Sequence, residues 1–202
     1  MDYIFWIVTG YFSGSIPTGY LIGKLKGIDL TRIGSGSTGA TNVLRNVGKI
    51  AALITLLIDV LKGFVPVYLV IRFYDGRDGV TPSLLVVLVG LASILGHSKS
   101  VFLKFKGGKS SATGLGILIA ISWKVAVISF LIWIVVVFTF RYSSLGSIIT
   151  CPLVPLWMYL FHMSNVYILF TVVIAVYIVL VRHRDNIKRL IKGTEPKIGQ
   201  KI

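Results

Sequence analysis

The sequence predicts an all-α polytopic membrane protein of about seven transmembrane helices, and three observations predict it. Of its 202 residues 55% are hydrophobic and only 14% charged, against about a quarter charged in soluble domains. The apolar residues lie in long uncharged runs, the pattern of helices that cross a hydrocarbon core about 30 Å thick. The basic residues gather in alternate connecting segments, as they do when one face of a membrane protein is cytoplasmic.

Taken in order, the apolar runs cover residues 3–23, 50–73, 80–96, 111–122, 123–140, 145–161 and 164–181. Met1-Asp2-Tyr3 carries no basic segment, so the first run reads as a retained transmembrane helix and not as a signal peptide. Gly10, Gly14, Pro17 and Gly19 within it permit close helix approach. The run 111–122 is short, suited to a tilted or half-length helix, and Ser122-Trp123-Lys124 separates it from the next. Merging the two gives six spans as the alternative count. No repeat, low-complexity segment or soluble domain interrupts the chain, so residues 1–202 read as one membrane domain.

Orientation follows from Lys and Arg. Net charge is +14, from 21 basic against 7 acidic residues. Seventeen of the basic residues fall on one side if the N-terminus is outside: the segments 24–49 and 97–110, Arg141, and the tail from Arg182 to Lys201. The other side holds Arg72, Arg77 and Lys124, with Asp75 and Asp78 balancing the first two. This predicts an outer N-terminus and a cytoplasmic C-terminus. It also accounts for the charge without nucleic acid, since the basic loops lack interleaved aromatics for base stacking. A single cysteine, Cys151, excludes an internal disulfide and reads as a buried, inert thiol.

Four polar segments share the predicted cytoplasmic face. The first, residues 33–45, combines Gly34, Gly36 and Gly39 with Ser35, Ser37, Thr38, Thr41 and a closing Arg45. Glycines let several N–H groups converge on an anion, hydroxyls add donors, and arginine holds phosphate bidentately. Thr41-Asn42 is placed to open a short helix beside that anion. A flexible linker is the plainer reading, but it leaves the Asn-x-x-Arg unexplained.

The second runs from His97 through Lys104, Lys106, Gly107, Gly108, Lys109 and Ser110. Gly-Lys-Ser invites comparison with a nucleotide P-loop, but that motif needs a glycine where Leu103 stands, and the preceding strand is missing. Nucleotide hydrolysis is therefore rejected. A phosphate cradle of glycines, lysines and hydroxyls ahead of a helix remains, beside the plainer reading of an ordinary positive loop. His97 reads either as an interfacial hydrogen-bonding residue or as a general base or substrate ligand.

The third is the turn Arg141-Tyr142-Ser143-Ser144, read as a helix-capping turn or a ligand site. The fourth is a basic helix after the last span, with His183 and Asn186 three residues apart on one face and Arg182, Asn186 and Arg189 on a similar one; its plainer reading is an anchor to anionic lipid. Asp59 and Lys62, three apart inside the second span, read as an internal ion pair that holds a neighbouring loop. His162 reads as interfacial on the outer side. Few carboxylates face the cytoplasm and no spacing is metal-like, so neither metal nor cofactor is expected. A histidine-x4-aspartate acyltransferase box is absent, because Phe102 and Lys188 stand where it needs aspartate.

GSGSTGATNVLR at 34–45, GH at 96–97 with FKGGKSSAT at 105–113, and RHRDNIKRLIKGTE at 182–195 together resemble the PlsY family, over essentially the whole chain. These are acyl-phosphate:glycerol-3-phosphate acyltransferases of bacterial phospholipid synthesis. The resemblance implies a seven-span protein of the inner membrane. It would transfer a fatty acyl group from acyl phosphate, drawn from the bilayer, to the 1-hydroxyl of cytoplasmic glycerol 3-phosphate. It implies essential roles for Ser35 and Arg45, glycerol 3-phosphate binding at 106–109, contributions of His183 and Asn186 to activity, and a structural role for Glu195. Thr41, Asn42, Lys104, Ser143 and Ser144 join the candidate substrate-binding residues. The family usually has Asn where this chain has Ser37 and Gly where it has Ser110, so position 37 is given no essential role. A transporter of a phosphorylated small molecule and a non-enzymatic lipid-binding scaffold are the competing readings. Against the first, the polar motifs lie at one membrane face and few polar residues lie at mid-membrane depth; the second leaves the glycine-rich loops unexplained.

Overall fold

The computed structural model describes residues 2–76 and 79–200. Arg77, Asp78 and Lys201 of the charge count lie outside the described residues. Those described are built from ten α-helices, with no strand beyond one isolated bridge between Ser100 and Lys106. They form two compact units, Met1–Ile121 and Ser122–Ile202. The division falls at the Ser122-Trp123-Lys124 step.

In the first unit the 3–23 run is not one helix. It forms α1 (Tyr3–Ser15) and α2 (Thr18–Leu25). Pro17 has no N–H to donate and disfavours helix at the residue before it, so the chain breaks at Ile16. Asp2 caps α1 by accepting from Ile4 N at 3.2 Å. A seven-residue helix, α3 (Ala40–Asn46), opens at the Thr41-Asn42 segment as expected. Then follow α4 (Lys49–Phe73), α5 (Pro82–Ser98) and α6 (Ser111–Ile121). Thr81 caps α5, with Pro82 at its first turn, where a missing N–H costs nothing.

The helix α1 packs on α5, and α4 on α6. Both seams are backbone-close, because Gly14 lies against the main chain of Ser93 and Gly63 against that of Thr113. Small residues give transmembrane helices this approach, where van der Waals packing takes the place of a hydrophobic driving force. At eleven residues, α6 is about 16 Å long, roughly half a bilayer core.

The second unit holds α7 (Trp123–Phe140), α8 (Ser143–Leu160), α9 (Asn165–Val176) and α10 (Arg184–Ile191). A wide π-helical segment, Tyr177–Arg182, continues α9. The helices α7 and α9 both pack on α8. Cys151, expected buried, is partly exposed on α8, while His162 is exposed in the α8–α9 turn.

Four helical segments are long and apolar enough to cross a membrane: α4, α7, α8 and Asn165–Arg182. Two shorter apolar helices, α5 and α6, accompany them. Large apolar side chains stay exposed along them, including Leu57, Leu61, Phe138 and Leu169. In water such surface would drive aggregation; lipid covers it at no cost.

Candidate active site

The first unit carries two polar loops. The loop after α2 opens with Asp29, whose carboxylate accepts from Thr31 N (3.1 Å) and Thr31 Oγ1 (2.6 Å). The Thr31 hydroxyl, foremost, holds the Asp29 carboxyl below the usual carboxylate range, against a small opposing effect of burial and with help from Thr31 N–H, Lys24 and Arg32. Leu30 is fully buried with Val43 of α3 and Ala52 of α4, and this apolar plug anchors the loop.

Asn42 then shapes the loop from within. Its side-chain Nδ2 donates to the carbonyls of Leu30 (3.3 Å), Ile33 (3.2 Å) and Ser37 (2.8 Å). Its Oδ1 accepts from Ser35 N (3.3 Å) and Asn46 Nδ2 (3.0 Å). Asn42 is buried, so its amide serves the loop and offers no donor to a ligand. This corrects the expectation of a substrate-binding side chain: Asn42 positions its neighbours. Ser35 is left exposed on the loop surface, with Thr41 and Arg45 partly exposed on α3.

The second loop, residues 99–110, is braced on α1 and α5. Ser100 Oγ donates to Ser15 O at 2.6 Å, and Tyr11 Oη to Lys99 O at 2.9 Å. Ser100 N donates to Lys106 O at 3.1 Å, and Phe105 N to Ser100 O at 2.8 Å, folding residues 100–106 into a tight turn. Lys104 and Lys106 are exposed on it and Lys109 is partly exposed.

Gly107 and Gly108 lie against His97, the penultimate residue of α5. Gly108 N donates to His97 O at 3.0 Å. A Cβ at 108 would collide with the imidazole Nε2, and one at 107 with the His97 carbonyl. Only glycine permits this approach. On the other side of the buried ring, His97 Nδ1 lies 3.8 Å from Asp59 Oδ1, the same oxygen that Lys62 Nζ meets at 2.6 Å. The expected Asp59–Lys62 pair is therefore formed, and it reaches the loop through His97.

Ser110 departs from what its hydroxyl suggested. It is buried, its Oγ donates to Ile94 O at 3.0 Å, and its backbone is left-handed at φ 66°. It closes the loop onto α5, at a conformation that glycine would adopt without strain.

The second unit carries one polar cluster, centred on Glu195. The α10 helix ends at Gly193, whose left-handed φ of 68° turns the chain back while Thr194 N donates to Arg189 O at 2.8 Å. Glu195 then inserts its carboxylate among three donors. Ser144 Oγ and Asn186 Nδ2 reach Oε1, each at 2.6 Å, and Arg189 Nε reaches Oε2 at 2.7 Å. Burial alone would raise this carboxyl, but the bonds from Ser144, Arg189 and Asn186 and the arginine charge overcome it, holding the group below the usual range.

Two consequences follow for the expected site residues. Ser144, assigned to substrate, is buried and bound to Glu195, so it is part of the frame; Ser143 beside it is partly exposed at the start of α8. Asn186 is oriented: with Nδ2 on Glu195, its buried Oδ1 meets no hydrogen-bond partner in the described structure, so the side chain presents an acceptor. His183 is buried, with Nδ1 2.9 Å from Ile178 O. A carbonyl only accepts, so Nδ1 carries a proton, and in the neutral ring the basic lone pair is at Nε2. Arg189 was missed as a site residue, although its three-residue spacing from Asn186 was visible.

The family model described as glycerol-3-phosphate acyltransferase matches residues 4–193. The chain belongs to the glycerol-3-phosphate acyltransferase family. Curated relatives of that name include one from Trichormus variabilis, 46% identical over 97% of this chain and 92% of its own. Another, from Rippkaea orientalis, is 48% identical over 97% and 93%. Among solved structures, the chain is similar to crystal structures of PlsY (YgiH), an integral membrane glycerol 3-phosphate acyltransferase. The glycerol 3-phosphate form has a TM-score of 0.89 at 38% identity, covering 98% of this chain and 96% of that one. The lysophosphatidic acid form has a TM-score of 0.86 at the same identity, covering 98% and 95%. The protein is thus an integral membrane acyltransferase, and the transporter and scaffold readings fall away.

Proposed function

We propose that this acyltransferase moves a fatty acyl group from acyl phosphate to the 1-hydroxyl of glycerol 3-phosphate, releasing lysophosphatidic acid and inorganic phosphate. This is the first acylation of bacterial phospholipid synthesis. The observation that carries the reading is the loop at 99–110, braced on α1 and α5, which presents Lys104 and Lys106 exposed and Lys109 partly exposed in a member of this family. We further place the protein in the bacterial inner membrane as a single multi-pass domain of seven spans. The N-terminus lies outside, and the polar loops lie at the cytoplasmic face.

Acyl phosphate is already activated, so the protein's task is to position two anions and stabilise a developing oxyanion. Lys106 and Lys109, with Lys104 nearby, take the phosphate of glycerol 3-phosphate on a loop that Gly107 and Gly108 hold against His97, while the fatty chain enters sideways from the bilayer. Ser35 and Arg45, on the loop that Asn42 organises, face the other phosphate with Thr41; in the second unit Ser143, a candidate substrate-binding residue from the sequence, offers a hydroxyl donor. The acceptor oxygen of Asn186 suits a substrate hydroxyl. No cofactor or metal takes part.

The 1-hydroxyl oxygen attacks the acyl carbon, and the bond from that carbon to the phosphate oxygen breaks. The hydroxyl proton goes to His97, to His183 or to an oxygen of the departing phosphate. The last is our preference, because that oxygen is already beside the attacked carbonyl. Transfer is direct, without an acyl-Ser35 intermediate; trapping acylated Ser35 would overturn this. Should His97→Ala and His183→Ala each keep turnover at saturating substrate, a histidine base is excluded.

The decisive assay uses purified protein, labelled glycerol 3-phosphate and either acyl phosphate or acyl-CoA. Lysophosphatidic acid formed only with acyl phosphate is the expected result. Product formed with acyl-CoA alone would replace the donor in this reading.

A further inference from the structure

Asp59 and Lys62 are each about 3% exposed on α4, a membrane-crossing helix. For stability alone this is a poor arrangement, since buried ion pairs are often no better than apolar residues of similar volume. The geometry supplies another reason. Asp59 Oδ1 faces His97 Nδ1 at 3.8 Å while Lys62 Nζ holds the same oxygen at 2.6 Å. The opposite ring nitrogen fills the space beside Gly108, and the His97 carbonyl accepts from Gly108 N. His97 is therefore gripped by the loop through both ring and backbone, and it is gripped by Asp59 from behind. A ring turned away from Asp59 would displace Gly108.

We propose that Asp59 is a positioning residue: acting through His97, it sets the shape of the 106–109 loop and hence its affinity for glycerol 3-phosphate. Lys62 neutralises the carboxylate and fixes its rotamer. The inference rests on the reading that this loop takes glycerol 3-phosphate.

The test is steady-state kinetics on two variants of the purified full chain. Asp59→Asn with Lys62→Met removes both charges without leaving one buried alone. Asp59→Glu keeps the ion pair but shifts the carboxylate against the ring. Both are expected to raise KM for glycerol 3-phosphate about tenfold or more, with kcat and KM for acyl phosphate within about threefold. Lower yield and thermal midpoint with both KM values unchanged would mean a merely structural pair, and would overturn the proposal. Should the double variant not fold, Asp59→Glu decides alone. Lys106→Ala and Lys109→Ala in the same assay separate the two claims. If neither raises KM for glycerol 3-phosphate, loop assignment and proposal fall together. If they raise it and the Asp59 variants do not, only the proposal falls.

Discussion

The two histidines at the candidate sites are set in opposite ways. His97, in the first unit, lies between an ionised pair and a glycine, with Asp59 behind the ring and Gly108 against its far nitrogen. His183, in the second, is tied by Nδ1 to the neutral carbonyl of Ile178, while the charges of that unit's polar cluster belong to Glu195 and Arg189. The first setting ties a ring to a loop. The second fixes a tautomer and leaves the loop geometry to a carboxylate elsewhere. One residue type thus serves different purposes according to which of its nitrogens is held, and by what.

The largest effect that would break this contrast is expected at Glu195. Glu195→Ala leaves Ser144, Asn186 and Arg189 without their acceptor, a loss of about 3 kcal/mol or more, together with activity. Thermal unfolding in detergent and the acyl-transfer assay check both. The acid limb is specific. Because the folded carboxyl is held low, its contribution is present above the unfolded value of about 4.3 and is lost as pH falls through the folded one. Wild-type unfolding midpoints should drop on acidification below about pH 4, and Glu195→Gln should lack that component.

Gly108→Ala comes next. Its methyl meets the His97 ring, so activity should fall about 100-fold while the thermal midpoint moves little. Unchanged activity would show that ring and loop are not coupled. Asn42→Asp is milder. It keeps the acceptor for Ser35 N and loses three donated bonds, so KM for substrate should rise about tenfold, measured with each substrate in turn. The smallest effect is at Ser110→Gly. Losing the bond to Ile94 costs about 1 kcal/mol and relief of the left-handed backbone returns about as much, so activity and midpoint should stay near wild type.

Much of this was legible in the residues, for physical reasons. Seven apolar runs were visible because the membrane demands uninterrupted apolar length, and α7 begins and ends at Trp123 and Phe140 as the pattern indicates. The break of the first run was foreshadowed by Pro17 but read as a packing feature, because helix propensity alone does not say whether a proline kinks or splits. The motif residues were legible as a set, and their division of labour was not. Asn42, Ser144 and Ser110 look like ligand donors in a string of hydroxyls and amides. Only the fold reveals that each is buried on a backbone or carboxylate partner. The approach of Asp59 to His97 joins residues 38 positions apart on different helices, which no local spacing encodes.

Glu195 has a consequence for synthesis. It follows every apolar helix in the chain, yet Ser144 and Asn186 are held only once it arrives. A nascent chain can therefore insert these helices and still carry an unfinished cluster until Glu195 emerges from the ribosome. A product truncated just after α10 would lack the carboxylate that Ser144, Asn186 and Arg189 share, so residue 195 ties the completion of this cluster to a late moment of synthesis.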